Sequence, residues 1–124
     1  MHLPLKDLEK EHSIPEVWKD SICKVVIQLT KDNFELHNVS EYITLQSSDL
    51  AEFNRENVLE YGCCLKALST ECWERSCYQW QGDYWDLIID LCTVEEGVSD
   101  LVLKGRIYPI VSGYKYEFGM VYVP

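Results

Sequence analysis

The chain has 124 residues, the length of one domain of common size, and a formal charge of −10 from 21 acidic and 11 basic side chains. Such a charge repels phosphate backbones and anionic membrane surfaces, which excludes nucleic acid and membrane as expected partners and suits a basic protein, although acidity also serves plain solubility. Apolar residues make up 47%, too rich for disorder, yet runs such as Leu87-Ile88-Ile89 are far too short to cross a bilayer.

Residues 1–12 are mainly polar and are expected to fray or to form a short helical turn. They lack the basic-then-apolar layout of a secretory signal, so a cytoplasmic setting is expected. Reduced thiols are then expected for the six cysteines, at 23, 63, 64, 72, 77 and 92. Cys23 and Cys92 fall in apolar patterns and read as small core residues.

The first firm element is a helix over about Pro15 to Lys31. Ser13 and Glu16 have capping-box spacing, and Pro15 suits a first turn, where a missing N–H costs nothing. Trp18, Ile22, Val25, Val26 and Leu29 recur with the period of one buried stripe. Phe34 to Gln46 is ambiguous between a short helix, with Asn38 as a cap, and an extended end at Thr44-Leu45. A second helix is expected after Ser48, with Leu50, Phe53, Val58 and Tyr61 on one face and Gly62 as a left-handed C-cap. The Asn54–Asn57 stretch is a poor helix former, so a later start near Asn54 is the alternative.

From Cys63 the period changes. Cys72 to Trp80 reads as a strand closed by the turn Gln81-Gly82-Asp83. Tyr84 to Val123 then reads as a three-stranded antiparallel meander with turns at Glu95-Glu96-Gly97 and Ser112-Gly113. Trp85, Leu87, Ile89 and Leu91 alternate with Asp86, Ile88 and Asp90, which predicts a dry and a wetter face. Gly105 and Gly119 lie mid-strand, where glycine permits a bulge or sharp curvature. No repeat or linker divides the chain. The expected architecture is a single α+β domain over 1–124: frayed over 1–12, mainly helical over 13–62, and mainly antiparallel sheet over 63–124.

Catalytic motifs are scarce, and neither enzyme activity nor a cofactor is expected. His2, His12 and His37 read as outside the sheet, and nothing brings a His37 base to a Cys63 or Cys72 nucleophile. Cys63, Cys64, Cys72 and Cys77 match zinc-ligand spacing poorly. Asp83, Asp86 and Asp90 mark a strand face, as paired carboxylates or simply as a solvated surface. Glu95, Glu96 and Asp100 gather at one turn, where an acidic loop suits a basic active site. Trp73, Tyr78, Trp80, Tyr84 and Trp85 fill a short stretch, and those left exposed would act as interface anchors. The expected partner-binding set is Asp83, Asp86, Asp90, Glu95, Glu96 and Asp100 with Trp80 and Tyr84.

The stretch from Tyr84 to Leu101 resembles a motif of a family of small uncharacterised bacterial domains. In that motif a tryptophan-led strand ends in Asp-hydrophobic-x-Thr and runs through Glu-Glu-Gly-x-Ser-Asp-Leu into the next strand. Asp90, Thr93, Glu95, Glu96, Gly97, Ser99, Asp100 and Leu101 stand at those positions, while Cys92 replaces the usual tryptophan. The resemblance carries no activity. The layout, helices first and a long curved meander after, looks like the cone-shaped cystatin-like and nuclear-transport-factor-2-like folds, which host many functions. Small acidic proteins of this kind look like immunity proteins of contact-dependent growth inhibition and related toxin systems, which implies a cognate basic toxin, such as a nuclease, as partner. The alternatives are a small-ligand or enzymatic cone-fold domain and a weak dimer that pairs sheets through exposed aromatics.

Overall fold

The computed structural model describes residues 3–124; His2 lies outside them. In chain order it contains β1 (His12–Ser13), α1 (Glu16–Thr30), β2 (Ile43–Leu45), α2 (Leu50–Tyr61), β3 (Leu65–Lys66), α3 (Thr70–Arg75), β4 (Cys77–Trp80), β5 (Trp85–Thr93), β6 (Gly97–Ile110) and β7 (Gly113–Tyr122). The fold is α+β. One seven-stranded sheet runs β1-β4-β5-β6-β7-β2, with β3 added beside β5. Every pairing is antiparallel except that of β2 with β7.

The expected stripe of α1 is its buried face: Trp18, Ile22, Val25, Val26 and Leu29 all lie in the core. Trp18 meets Tyr78, Trp85 and Tyr114 edge-on at centroid distances of 4.9, 5.2 and 5.8 Å, so α1 lies on the sheet face that Trp85, Leu87 and Ile89 build. Its start differs from the capping-box expectation. Pro15 is the N-cap and no side chain caps the helix, because Ser13 is occupied in β1, paired with Cys77. His12 therefore belongs to the sheet, not outside it.

Of residues 3–11, Leu5, Lys6 and Leu8 are tied down rather than frayed. The Leu5 N–H donates to the Tyr78 hydroxyl at 2.9 Å and Trp85 Nε1 donates to the Leu5 carbonyl at 2.9 Å. Gln79 Nε2 donates to the Leu8 carbonyl, and Lys6 lies over the Trp80 ring. Polar composition concealed this, because the segment is held through backbone groups.

The ambiguous stretch after α1 becomes turns followed by β2, so its extended end is the correct reading. Arg55 of α2 pins the loop by bonding the carboxylates of Asp32, Glu35 and Glu52 and lying over the Phe34 ring. α2 starts at Leu50 and ends at Gly62, whose φ of 76° is the expected left-handed cap. Its buried residues are Ala51, Asn54 and Val58. Phe53, expected inside, is instead 42% exposed.

Asn54 explains the rotation. Beyond Phe118, where β2 stops pairing, the outer edge of β7 is open. Asn54 Oδ1 accepts the Val121 N–H at 2.8 Å and its Nδ2 donates to the Gly119 carbonyl at 3.0 Å. Asn57 Nδ2 donates to the Val121 carbonyl at 2.9 Å. Two poor helix formers thus stand in for a missing strand, satisfying buried backbone groups that would otherwise be orphaned.

Both mid-strand glycines serve close packing. A Cβ on Gly105 would meet the Phe118 ring at 3.2 Å, and one on Gly119 would meet Gln46 Oε1 at 2.9 Å. The register between β6 and β7 shifts opposite this point, so the alternation of β7 reverses after Phe118. Val121 is buried and Met120 exposed, the opposite of strict alternation.

The expected strand from Cys72 divides into α3 and the shorter β4. α3 fills the gap along the edge of β5 between β3 and β4: Ser76 Oγ accepts the Asp90 N–H and donates to the Cys72 carbonyl. Cys72 and Cys92, both fully buried, are joined as a disulfide, with Cα atoms 6.5 Å apart. This corrects the expectation that all six thiols are free; the other four are.

Candidate functional site

The acidic turn between β5 and β6 is built by its own side chains. Thr93, fully buried, accepts the Glu96 N–H on Oγ1 at 3.1 Å, and Gly97 closes the turn at a φ of 77°. Ser99 Oγ donates to the Leu91 carbonyl at 2.8 Å and accepts the Leu101 N–H at 3.1 Å, bridging the register shift between Asp90 and Cys92. Glu95 Oε1 accepts the Cys64 N–H at 2.9 Å, and that bond holds its carboxyl below the usual range. Tyr61, at the end of α2, donates its hydroxyl to Glu96 at 2.6 Å and accepts the Asp100 N–H at 3.2 Å; the Glu96 carboxylate pushes the phenol up. Threonine, glutamates, glycine and serine therefore have a structural explanation at every position. The inward hydrogen bonds of Glu95 and Glu96 make them less free for a partner than the charge pattern alone suggests.

The remaining expected residues scatter. Trp80 is 9% exposed and packs on Trp85 at 4.8 Å, in the core rather than on a binding surface. Asp83 is exposed in the turn after β4. Tyr84, Asp86 and Asp90 gather on the sheet face away from α1. There Asp86 is paired with Lys104 at 3.1 Å, and burial pushes the Asp90 carboxyl up. Arg106 lies over the Tyr84 ring at 4.6 Å.

The thiols are not arranged for nucleophilic chemistry. Cys72 is bonded to Cys92. Burial pushes Cys63 up, and Cys77, half-buried and donating to Glu11, is pushed up to about 12. Both shifts oppose thiolate formation. His37 is exposed in its own loop, where its backbone N–H donates to Asn33 Oδ1. Among the described residues, no cluster of histidine, cysteine and carboxylates is arranged to hold a metal.

Sequence reasoning missed the outer face of α2. With Ala51, Asn54 and Val58 turned in, Glu52, Phe53, Glu56, Leu59 and Glu60 turn out together. Phe53 is 42% and Leu59 79% exposed among three carboxylates, and Tyr61 joins this helix to Glu96 and Asp100. Reading Asn54 as a buried edge cap would have exposed this face.

A family model described as a domain of unknown function, DUF7668, matches residues 13–124. The chain belongs to this family. No curated protein and no solved structure matches it. The DUF7668 match begins at Ser13 and so takes in α1 and α2 as well as the sheet. The glutamate turn and the asparagine-capped edge of β7 both lie within this DUF7668 span.

Proposed function

We propose that this domain is a binding protein that neutralises a basic protein partner, and that it acts as an immunity protein on a cognate toxin such as a nuclease. The observation that carries this reading is the outer face of α2. Phe53 and Leu59 are large apolar side chains left in solvent on either side of the helical stripe of Glu52, Glu56 and Glu60. Interface anchors are typically apolar or aromatic and surrounded by a polar rim. Here the polar stripe between the two anchors has one sign, and the whole chain carries −10. Charge of this kind raises the association rate with a basic surface, while the apolar pair slows release. Glu96 and Asp100 extend the surface past the end of the helix. The encounter we propose is cytoplasmic, a setting in which a buried disulfide such as Cys72–Cys92 is uncommon.

The cone-fold ligand reading is less well supported. The space under the sheet is filled by Trp18, Trp85 and Phe118, all nearly inaccessible. The test of the proposal is co-expression with the product of the neighbouring reading frame, which is expected to be toxic alone. Growth is expected to be rescued by the native chain and not by the Glu56→Lys/Glu60→Lys variant, with binding that weakens as salt rises. Salt-independent binding, or full rescue by the charge-reversed variant, would overturn it.

A further inference from the structure

The sheet face away from α1 carries a second feature, on residues that the acidic surface does not use. A groove of about 350 Å³ is lined by Tyr84, Asp86, Lys104, Arg106, Met120 and Tyr122 among others. That volume falls at the lower end for small-molecule sites. These walls carry two cations and one carboxylate, on a chain whose total charge is −10.

Arg106 is the centre of the argument. Its cross-strand neighbours are Asp86 on β5 and Glu117 on β7. Both carboxylates are engaged by lysines, Asp86 by Lys104 at 3.1 Å and Glu117 by Lys115 at 3.7 Å. Among the described residues Arg106 forms no ion pair, whereas Arg55 forms three. It is instead held over the Tyr84 ring at 4.6 Å. Its strand is fixed on both sides by β5 and β7. A guanidinium held by an aromatic ring keeps its planar fork available to a carboxylate or phosphate. The opposite wall is apolar at its tip: Met120 is 37% exposed because the β7 register shift turns it outward, and Tyr122 lies beside it.

We propose that this groove binds a small organic anion, its carboxylate or phosphate on Arg106 and its aromatic or aliphatic body against Tyr84, Met120 and Tyr122.

The test is amide chemical-shift titration of the full chain with four probes: benzoate, phenyl phosphate, benzylamine and inorganic phosphate. Benzoate or phenyl phosphate is expected to give saturable shifts at Tyr84, Lys104, Arg106, Met120 and Tyr122, and the tighter of the two identifies the headgroup. Benzylamine and inorganic phosphate are expected to leave these amides in place. Arg106→Gln, with the rest of its spectrum unchanged, should lose about tenfold in affinity, equivalent to about 1.4 kcal/mol. Arg75→Gln, a change at an exposed arginine on α3, should lose none. Silence with both organic anions, equal shifts from benzylamine or inorganic phosphate, or undiminished binding by Arg106→Gln would each overturn the proposal. None of these outcomes depends on the acidic face of α2, so the two readings fail separately.

Discussion

Replacing Asn54 by alanine tests the claim that side chains of α2 complete the sheet. Asn54 is 1% exposed, and its amide satisfies the Val121 N–H and the Gly119 carbonyl, both on buried residues. Truncation leaves both groups without partners. Each buried orphan costs about 1–3 kcal/mol, so the pair costs about 2–6 kcal/mol. Alanine's better helix propensity returns about 0.5 kcal/mol. The expected net loss is about 2–5 kcal/mol, a large share of the roughly 5–15 kcal/mol typical of a domain. Urea unfolding measures it directly, and amide hydrogen exchange at Val121 should accelerate beyond what the global loss explains. Asn57→Ala, which removes one half-exposed bond to the Val121 carbonyl, should cost only about 1 kcal/mol. A loss below about 0.5 kcal/mol for Asn54→Ala, with Val121 exchange unchanged, would refute the reasoning.

Ser99→Ala removes the bridge across the β5–β6 register shift, two bonds from a nearly buried hydroxyl, and should destabilise by about 2 kcal/mol in the same assay. Asp90→Asn should stabilise at neutral pH. Burial raises the folded-state carboxyl, so its charged form weakens the fold above that raised value. The advantage of asparagine should therefore fade as pH falls through it to the unfolded value of about 3.9. Native alkylation should modify exposed Cys64 before Cys77, and denaturation without reductant should expose four thiols, rising to six after reduction. Loss of the 20-residue Cys72–Cys92 loop closure should cost about 3 kcal/mol.

Much of the fold was legible because single periods governed it. The Trp18 stripe, the Gly62 cap and the alternation of Trp85, Leu87 and Ile89 each follow from local chemistry and burial on one side. Gly105 on β6 and Gly119 on β7 signalled a bulge, but not that it would turn Met120 out and Val121 in. Long-range pairing stayed hidden. Nothing local announces that Ser13 joins Cys77, that β2 runs parallel to β7, or that Cys72 reaches Cys92. Asn54 misled on the helix start, since its poor propensity argued for a later one, whereas its amide serves a strand edge. Placing Phe53 on the buried face rotated α2 and concealed Phe53 and Leu59. The candidate site was legible at the acidic turn, where charge and motif coincide, but charge does not reveal that Tyr61 and the Cys64 N–H already use two of its carboxylates.

The most direct test of the binding reading is an amide chemical-shift titration of the chain with the product of the neighbouring reading frame, which the account expects to be a basic toxin. The account predicts salt-sensitive shifts along Glu52 to Tyr61 and at Glu96 and Asp100, abolished by Leu59→Asp with the fold intact. No binding, or shifts confined to the strands with α2 silent, would contradict it.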